Sequence, residues 1–252
     1  MPHTTHDRLF GGTLSLRQPA RRAGYRVNVD ALLLGAFAAG VLAGGEPRPP
    51  RSARARHAVD LGSGVGAVGL TLLHLGAASR VTFVEIDEPL AHLAAENAAE
   101  NGWAERAHVI HGDVAYAAKA LGAAADLVVC NPPYVPPGRG RVPAEGVRGA
   151  KYGDLGAFVD AARKVVGRRA RVCFVYPAIE ATTLLTALRT RGLEPKRLRA
   201  VHGRREDNAR VVLVEAVAGK LGGLAIEPPF VENGARGARS AELEALLTMP
   251  RR

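Results

Sequence analysis

His57-Ala58-Val59-Asp60-Leu61-Gly62-Ser63-Gly64-Val65-Gly66 runs from an apolar strand into a glycine turn, and Ala67 to Leu75 continues it as an apolar helix. Glycine accepts the left-handed backbone of a tight turn, and its missing side chain lets backbone N–H groups at a helix start approach a ligand closely. From here strands and helices alternate: Arg80 to Ile86, Pro89 to Asn101, Ala107 to Ile110, Asp126 to Cys130, Leu155 to Val166, Arg171 to Tyr176, Ile179 to Arg191 and Arg210 to Val217. Val81-Thr82-Phe83-Val84, Leu127-Val128-Val129-Cys130 and Val172-Cys173-Phe174-Val175 are continuous apolar runs, as strands buried on both faces are. This order predicts an α/β fold, a mostly parallel sheet with helices on both faces. Ligands of such sheets sit at the carboxyl ends of the strands, so the chemistry is to be sought there.

Upstream, Thr13 to Gln18 alternates polar and apolar residues, Pro19-Ala20-Arg21-Arg22-Ala23-Gly24 reads as a turn, and Tyr25 to Asn28 is extended again. That pattern predicts a hairpin. Asp30 precedes Ala31 to Leu42, whose nearly unbroken apolar character predicts a buried helix, with Asp30 either capping it or lining the cleft. Gly44 to Arg56, rich in proline and arginine, reads as a solvated loop. The expected organisation is an N-terminal hairpin and helix over 1–45, a loop over 46–56 and the α/β domain over 57–252.

Apolar types make up 47% of the 252 residues, enough for an ordinary core, and the net charge is +10. Such a charge attracts polyanions, nucleic acid first, although an arginine- and alanine-rich composition yields the same count without any such partner. Cys130 and Cys173 lie inside apolar runs with no CxxC pair and no His/Cys ligand spacing, so they read as reduced core thiols and no metal is expected. His3 and His6 fall in a polar terminal segment read as disordered. Met1 to Arg8 has no apolar signal region, and Ala31 to Gly45 falls short of the roughly 20 residues of a membrane span. A cytoplasmic monomer without membrane contact is expected.

Asp60, Glu85 and Asp113, the last within Gly112-Asp113-Val114, end three successive strands. A carboxylate at Glu85 suits both hydroxyls of a ribose. Asp113 suits the exocyclic amine of an adenine, or it caps the next helix. Gly64, Gly66 and Gly69 also satisfy GxGxxG, so to this point a nicotinamide dinucleotide fits as well as S-adenosylmethionine. The fourth strand end separates the two. It reads Asn131-Pro132-Pro133-Tyr134, and two prolines cannot continue a central strand. The Asn131 carboxamide oxygen and the Pro132 carbonyl give two acceptors in a rigid corner, suited to both hydrogens of a planar NH2 group, and Tyr134 offers a face for stacking. With both hydrogens held, the nitrogen lone pair turns toward an electrophile such as a sulfonium methyl, and catalysis is mainly positioning. An NAD-dependent oxidoreductase leaves this corner unexplained, and a noncatalytic RNA-binding module gives no reason to keep Asp60, Glu85 and Asn131 together.

The ordered motifs DLGSGVG, FVEID, HGDV and VVCNPPY over residues 58–134 resemble the class I N-methyltransferases whose NPPY or DPPY corner methylates exocyclic amines or amides. The N-terminal segments Asp7-Arg8-Leu9-Phe10-Gly11-Gly12, Leu16-Arg17-Gln18-Pro19 and Gly24 to Ala36 are similar to the bacterial tRNA adenine-N6 methyltransferases, which modify the adenine beside the anticodon of valine tRNA. That family commonly has Thr-Asp where this chain has Val29-Asp30, and the tail around Ala225-Ile226-Glu227 is similar only loosely. The resemblance implies a Rossmann-like class I fold with a seven-stranded sheet, S-adenosylmethionine as cofactor and tRNA as partner. It implies that Asp60 and the loop of Gly62, Ser63, Gly64 and Gly66 hold the methionine end of the cofactor, Glu85 the ribose and Asp113 the adenine. Asp30, Ile86, Val114 and Asn131 complete the expected cofactor set, and Asn131, Pro132, Pro133 and Tyr134 hold the target amine. Arg17, Arg21, Arg22 and Arg26 in the hairpin, Arg148 and Lys151 beyond the corner with Arg139 and Arg141, and Arg204 and Arg205 near the last strands are the expected phosphate contacts.

Two rivals keep the chemistry and change the acceptor. Release-factor glutamine methyltransferases also use NPPY but usually carry a sizeable helical N-terminal domain, for which the stretch before Asp60 is too short. Guanine-N2 methyltransferases of ribosomal RNA usually duplicate the domain or place phenylalanine after NPP.

Overall fold

A computed structural model describes residues 4–20, 27–42, 55–134, 154–219, 221–234 and 237–252. Strand β1 (Thr4–Leu9) pairs antiparallel with β2 (Leu14–Pro19), so a hairpin forms with the segment before the expected strand. One face of β1 is solvated, which made its sequence read as a polar tail; His6 lies within the strand opposite Arg17 rather than in a disordered terminus. His3 and residues 21–26 lie outside the described residues. Helix α1 (Val29–Ala39) is buried from Asp30 to Ala38. Its cap is Asn28, not Asp30: the Asn28 Oδ1 accepts the Asp30 N–H at 3.1 Å.

There follow β3 (Ala55–Leu61), α2 (Ala67–His74), β4 (Ala78–Glu85), α3 (Glu88–Glu100), β5 (Ala107–His111), α4 (Val114–Leu121), β6 (Ala125–Cys130), α5 (Leu155–Val165), β7 (Val166–Pro177), α6 (Ala181–Thr190), β8 (Leu193–His202), β9 (Ala209–Ala218), β10 (Ala225–Val231) and α7 (Ala241–Leu247). β3 starts at Ala55, inside the stretch read as loop. Among the described residues the main sheet has eight strands rather than seven, in the order β10-β8-β9-β7-β6-β3-β4-β5. Only β9 runs antiparallel to its neighbours, so the sheet is the mostly parallel one expected.

Side chains alternate across the sheet. Leu127 and Val129 join α1, α2 and α3 in one apolar layer, while Val128 and Cys130 join α4, α5 and α6 in the other. Burial of each such side chain stabilises the fold by about 1.5–3 kcal/mol. No helix among the described residues is long and apolar enough to cross a membrane.

The hairpin is fastened to the domain by Asn97 of α3 and by Asn101, the residue at its C-cap. Asn97 accepts the Arg17 N–H at 2.6 Å and donates to the Arg17 carbonyl at 2.9 Å. Asn101 does the same at Ser15, at 2.9 and 2.7 Å. Helix positions four apart rise about 6 Å, and strand positions two apart about 6.6 Å, so the two ladders match. Asn97 also donates to the Val65 carbonyl at 3.0 Å, joining β2 to the glycine turn.

Candidate active site

A cleft of about 1390 Å³ opens at the carboxyl ends of β3, β4, β6 and β7, with Asn28 and Asp30 at the start of α1 on its wall. Gly62, Gly64 and Gly66 have φ of +69°, +55° and +89°, the left-handed region the turn requires. A Cβ at Gly62 would also lie 2.9 Å from the Phe158 ring. The Gly62 and Ser63 N–H groups both donate to the Val84 carbonyl at 2.9 Å, which fastens the loop to the end of β4. Gly62, Ser63 and Gly64 face the cleft, whereas Gly66 is not among its lining residues and abuts the Phe83 ring.

Glu85 organises the wall beside this loop. Its Oε2 accepts the Gly64 N–H at 2.7 Å and its Oε1 the Asp87 N–H at 2.9 Å. Each carboxylate oxygen has a second acceptor site, so the group can still take donors from a ligand in the cleft. Asp113 combines both roles weighed for it: its Oδ1 accepts the Tyr116 N–H at 2.8 Å, capping α4, and the residue lines the cleft with Ile86 and Val114. Asp30 lines the cleft and receives the Arg210 guanidinium on both oxygens, at 2.5 and 3.0 Å. Arg210 also donates to Glu232 at 2.6 Å, so the two carboxylates hold its pKa above the ordinary guanidinium range.

Asp60 lies beneath the glycine loop and is not among the residues lining the cleft. It is 1% exposed; its Oδ2 accepts the Gly69 N–H at 2.9 Å and its Oδ1 has no partner. Burial, with the Glu85 charge nearby, pushes its carboxyl up to about 7, against the opposing Gly69 hydrogen bond. The Ser63 hydroxyl is likewise buried and unpartnered. Ser63 lines the cleft, and its orphaned hydroxyl fits the polar end of a bound ligand, since unpaired buried polar atoms in a native fold call for a partner.

Asn131, Pro132, Pro133 and Tyr134 line the cleft at the end of β6, the strand beside β3. Tyr134 meets the ring of Tyr176 edge-on, with centroids 5.5 Å apart and planes at 76°. Burial raises the Tyr176 phenol above its ordinary pKa, so it stays neutral throughout the physiological range. Asn28, Asp154, Phe158 and Tyr176 also line the cleft and were missed in the sequence. Tyr176 carried a signal, as an aromatic at a strand's carboxyl end; Asp154 reads only as the cap of α5, a role it fills through Gly156 N–H at 2.8 Å.

Of the expected phosphate contacts, Arg204 and Arg205 are exposed in the turn between β8 and β9. That turn precedes Val211, which sits opposite Pro177 at the cleft. Arg17 pairs with Glu100 at 2.9 Å. Arg21, Arg22, Arg26, Arg139, Arg141, Arg148 and Lys151 lie outside the described residues.

Residues 49–143 match the methyltransferase small domain model. The chain is 35% identical over 174 residues to the tRNA1(Val) (adenine(37)-N6)-methyltransferase of Enterobacter sp. (strain 638), covering 66% of this chain and 65% of that protein. It is 32% identical over 177 residues to the protein of that name from Erwinia tasmaniensis, covering 68% and 66%. The chain thus matches just under two thirds of the length of these relatives. Among solved structures, a protein from Agrobacterium tumefaciens described as a predicted O-methyltransferase superposes with a TM-score of 0.65 at 21% identity, covering 86% of this chain and 94% of the other. M. jannaschii TYW2 in complex with AdoMet superposes with a TM-score of 0.57 at 14% identity, covering 86% of each chain. At those identities the likeness concerns the fold, which is the Rossmann-like methyltransferase fold. The chain is thus similar, over its glycine turn and proline corner, to the methyltransferase small domain and to the bacterial tRNA1(Val) (adenine(37)-N6)-methyltransferases.

Proposed function

We propose that the protein is an S-adenosylmethionine-dependent N-methyltransferase acting on the exocyclic N6 amine of an adenine in tRNA. The observation that carries this reading is the rigid Asn131–Tyr134 corner lining one cleft together with the glycine loop, Glu85 and Asp113. The name shared by the relatives supports the choice of adenine in tRNA over a protein amide or a ribosomal guanine.

In this reading Gly62, Ser63 and Gly64 hold the methionine end of the cofactor, with Asp60 supporting the loop from beneath through Gly69, Glu85 holds its ribose, and Asp113 with Ile86 and Val114 its adenine, while Gly66 keeps the turn and Asp30 lines the cleft. The cofactor supplies a methyl group on a sulfonium, an electrophile. Asn131 Oδ1 and the Pro132 carbonyl accept the two N6 hydrogens, and Tyr134 stacks on the base. The nitrogen's proton becomes acidic only as its new bond to carbon forms and passes to water, so no strong base is needed and the residues act by positioning. The target base must leave its stack to reach the corner, which favours a loop nucleotide. Arg204, Arg205 and Arg17, with the arginines and lysine outside the described residues, track phosphates. Residues 1–45 work with the α/β domain from 57 as one cytoplasmic, monomeric enzyme without a metal.

The test is incubation with tritiated S-adenosylmethionine and bacterial tRNA lacking its native modifications, with recombinant peptide release factor in parallel. N6-methyladenosine in the tRNA is the expected product; label in the release factor alone overturns the acceptor. Asn131→Ala should abolish transfer and leave cofactor affinity nearly unchanged, measured by calorimetry.

A further inference from the structure

Pro132 and Pro133 fix the backbone of the corner but leave the Tyr134 ring free to turn about its side-chain bonds. Among the described residues, one ring touches it: Tyr176. β7 pairs parallel to β6 with Phe174 opposite Cys130, so β7 delivers its last residues beside the corner. Phe174 and Tyr176 are two apart and point to the same face, into the apolar layer against which Tyr134 also packs. Tyr176 is 8% exposed, held on one side by this core and open on the other to the cleft. Its ring is therefore anchored, and the edge-to-face contact transmits that anchoring to Tyr134. A separation of 5.5 Å at 76° lies within the favourable range for such pairs.

A stacking wall of fixed plane favours one kind of acceptor. A nucleobase presents a flat face that gains from a preset parallel surface, whereas a side-chain amide has little face to stack and reaches two hydrogen-bond acceptors without it. We propose that Tyr176 is the positioning residue of the acceptor site, holding Tyr134 in the plane that receives a flat heterocyclic base and so selecting a nucleobase over a side-chain amide. This rests on the reading of the corner as the acceptor site. The phenol oxygen has no part in it; the ring alone acts.

The experiment compares Tyr176→Leu and Tyr176→Phe with the unaltered protein, using tritiated S-adenosylmethionine and unmodified bacterial tRNA, with calorimetry for the cofactor and thermal unfolding as a check on folding. An aromatic pair of this kind is worth up to roughly tenfold in an equilibrium. Affinity for tRNA comes mainly from phosphates and placement of the base from the pocket. Tyr176→Leu should therefore lower kcat about tenfold, with KM for tRNA and Kd for the cofactor within about twofold; Tyr176→Phe should recover kcat to within about threefold. An unchanged kcat in Tyr176→Leu overturns the proposal. So does an equal loss of cofactor affinity, which would make Tyr176 merely a cofactor wall.

A readout independent of activity separates this from the parent reading. With the five tyrosines replaced by 3-fluorotyrosine, the fluorine resonance of Tyr134, assigned by its loss in Tyr134→Phe, should shift in Tyr176→Leu and broaden as the ring is released. If the unaltered protein leaves RNA unlabelled, the tRNA reading fails, and nucleobase selection with it. An unmoved Tyr134 resonance refutes the positioning role whatever the acceptor.

Discussion

Replacing Asp60 by asparagine should make the protein less stable in acid and more stable above neutrality. The folded carboxyl keeps its proton up to about 7, while an unfolded one releases it near 3.8. Between those values the native state binds more protons, so stability falls as pH rises; the contribution is fully present below about 4 and gone above about 7. At 1.36 kcal/mol per pH unit the window amounts to about 4 kcal/mol, undiminished by solvent because the group is fully buried. Asparagine keeps an oxygen for the Gly69 N–H but places an NH2 where Oδ1 has no partner, at a cost of about 1–3 kcal/mol. The variant should thus be weaker by about 1–3 kcal/mol near pH 4 and stronger by a similar amount at pH 8. Urea unfolding followed by circular dichroism at pH 5, 6, 7 and 8 reads this directly, since every other titrating group is common to both proteins. The difference in stability should move by about 3 kcal/mol from pH 5 to pH 8; a constant difference would refute the assignment of a protonated, buried Asp60.

Three further outcomes are expected. Asn97→Ala and Asn101→Ala should each cost about 1–3 kcal/mol of stability by stranding the backbone groups of β2, but only Asn97→Ala, which also frees the Val65 carbonyl, should weaken cofactor binding in calorimetry. Gly62→Ala should cost about 1–3 kcal/mol in urea unfolding, because the turn keeps φ at +69° and the new methyl group presses on Phe158; a second change of Phe158→Ala should relieve only the steric part. Affinity for tRNA should fall steeply with salt, and Arg204→Ala with Arg205→Ala should reduce the slope of log K against log salt by about one for each phosphate no longer neutralised, read by filter binding.

The parallel core was legible because continuous apolar runs such as Leu127–Cys130 have one reading, a strand covered on both faces. The edge of the sheet was not. β8 carries Pro195, Lys196, Arg197 and Arg199, residues that read as surface. Yet Arg199 is 1% exposed, donating to Glu242 at 2.5 Å and to the Pro228 carbonyl at 3.0 Å, with Phe230 beside its guanidinium. Its partners lie on β10 and at the start of α7, too far along the chain for local pattern to connect. The same limit hid β1, whose half-buried face carries Thr5, Asp7 and Leu9 and so shows no apolar pattern. At the site, residue types that end strands pointed to their own positions: Glu85, Asp113 and Asn131 all reach the cleft. Asp60 differs because it closes the strand one layer below, where its hydrogen bond to Gly69 turns it toward α2. Asn28 was invisible for a different reason: a polar cap is common, and only tertiary placement gives it a second use.

The asparagine ladder also imposes an order of assembly. β2 leaves the ribosome early, but Asn97 and Asn101 lie 80 and 86 residues further along the chain from the strand positions they hold. At roughly 5–20 residues per second, Leu14 and Leu16 wait on the order of ten seconds before a docking surface exists. Throughout that interval these two leucines, fully buried in the finished protein, remain open to chaperones or to another nascent chain. Asn97 serves Val65 and Arg17 together, so one side chain ties the glycine turn and the hairpin to the same helix. During synthesis the hairpin can therefore dock only once α3 has emerged, and truncating the hairpin would leave Asn97 its bond to Val65 while freeing its oxygen.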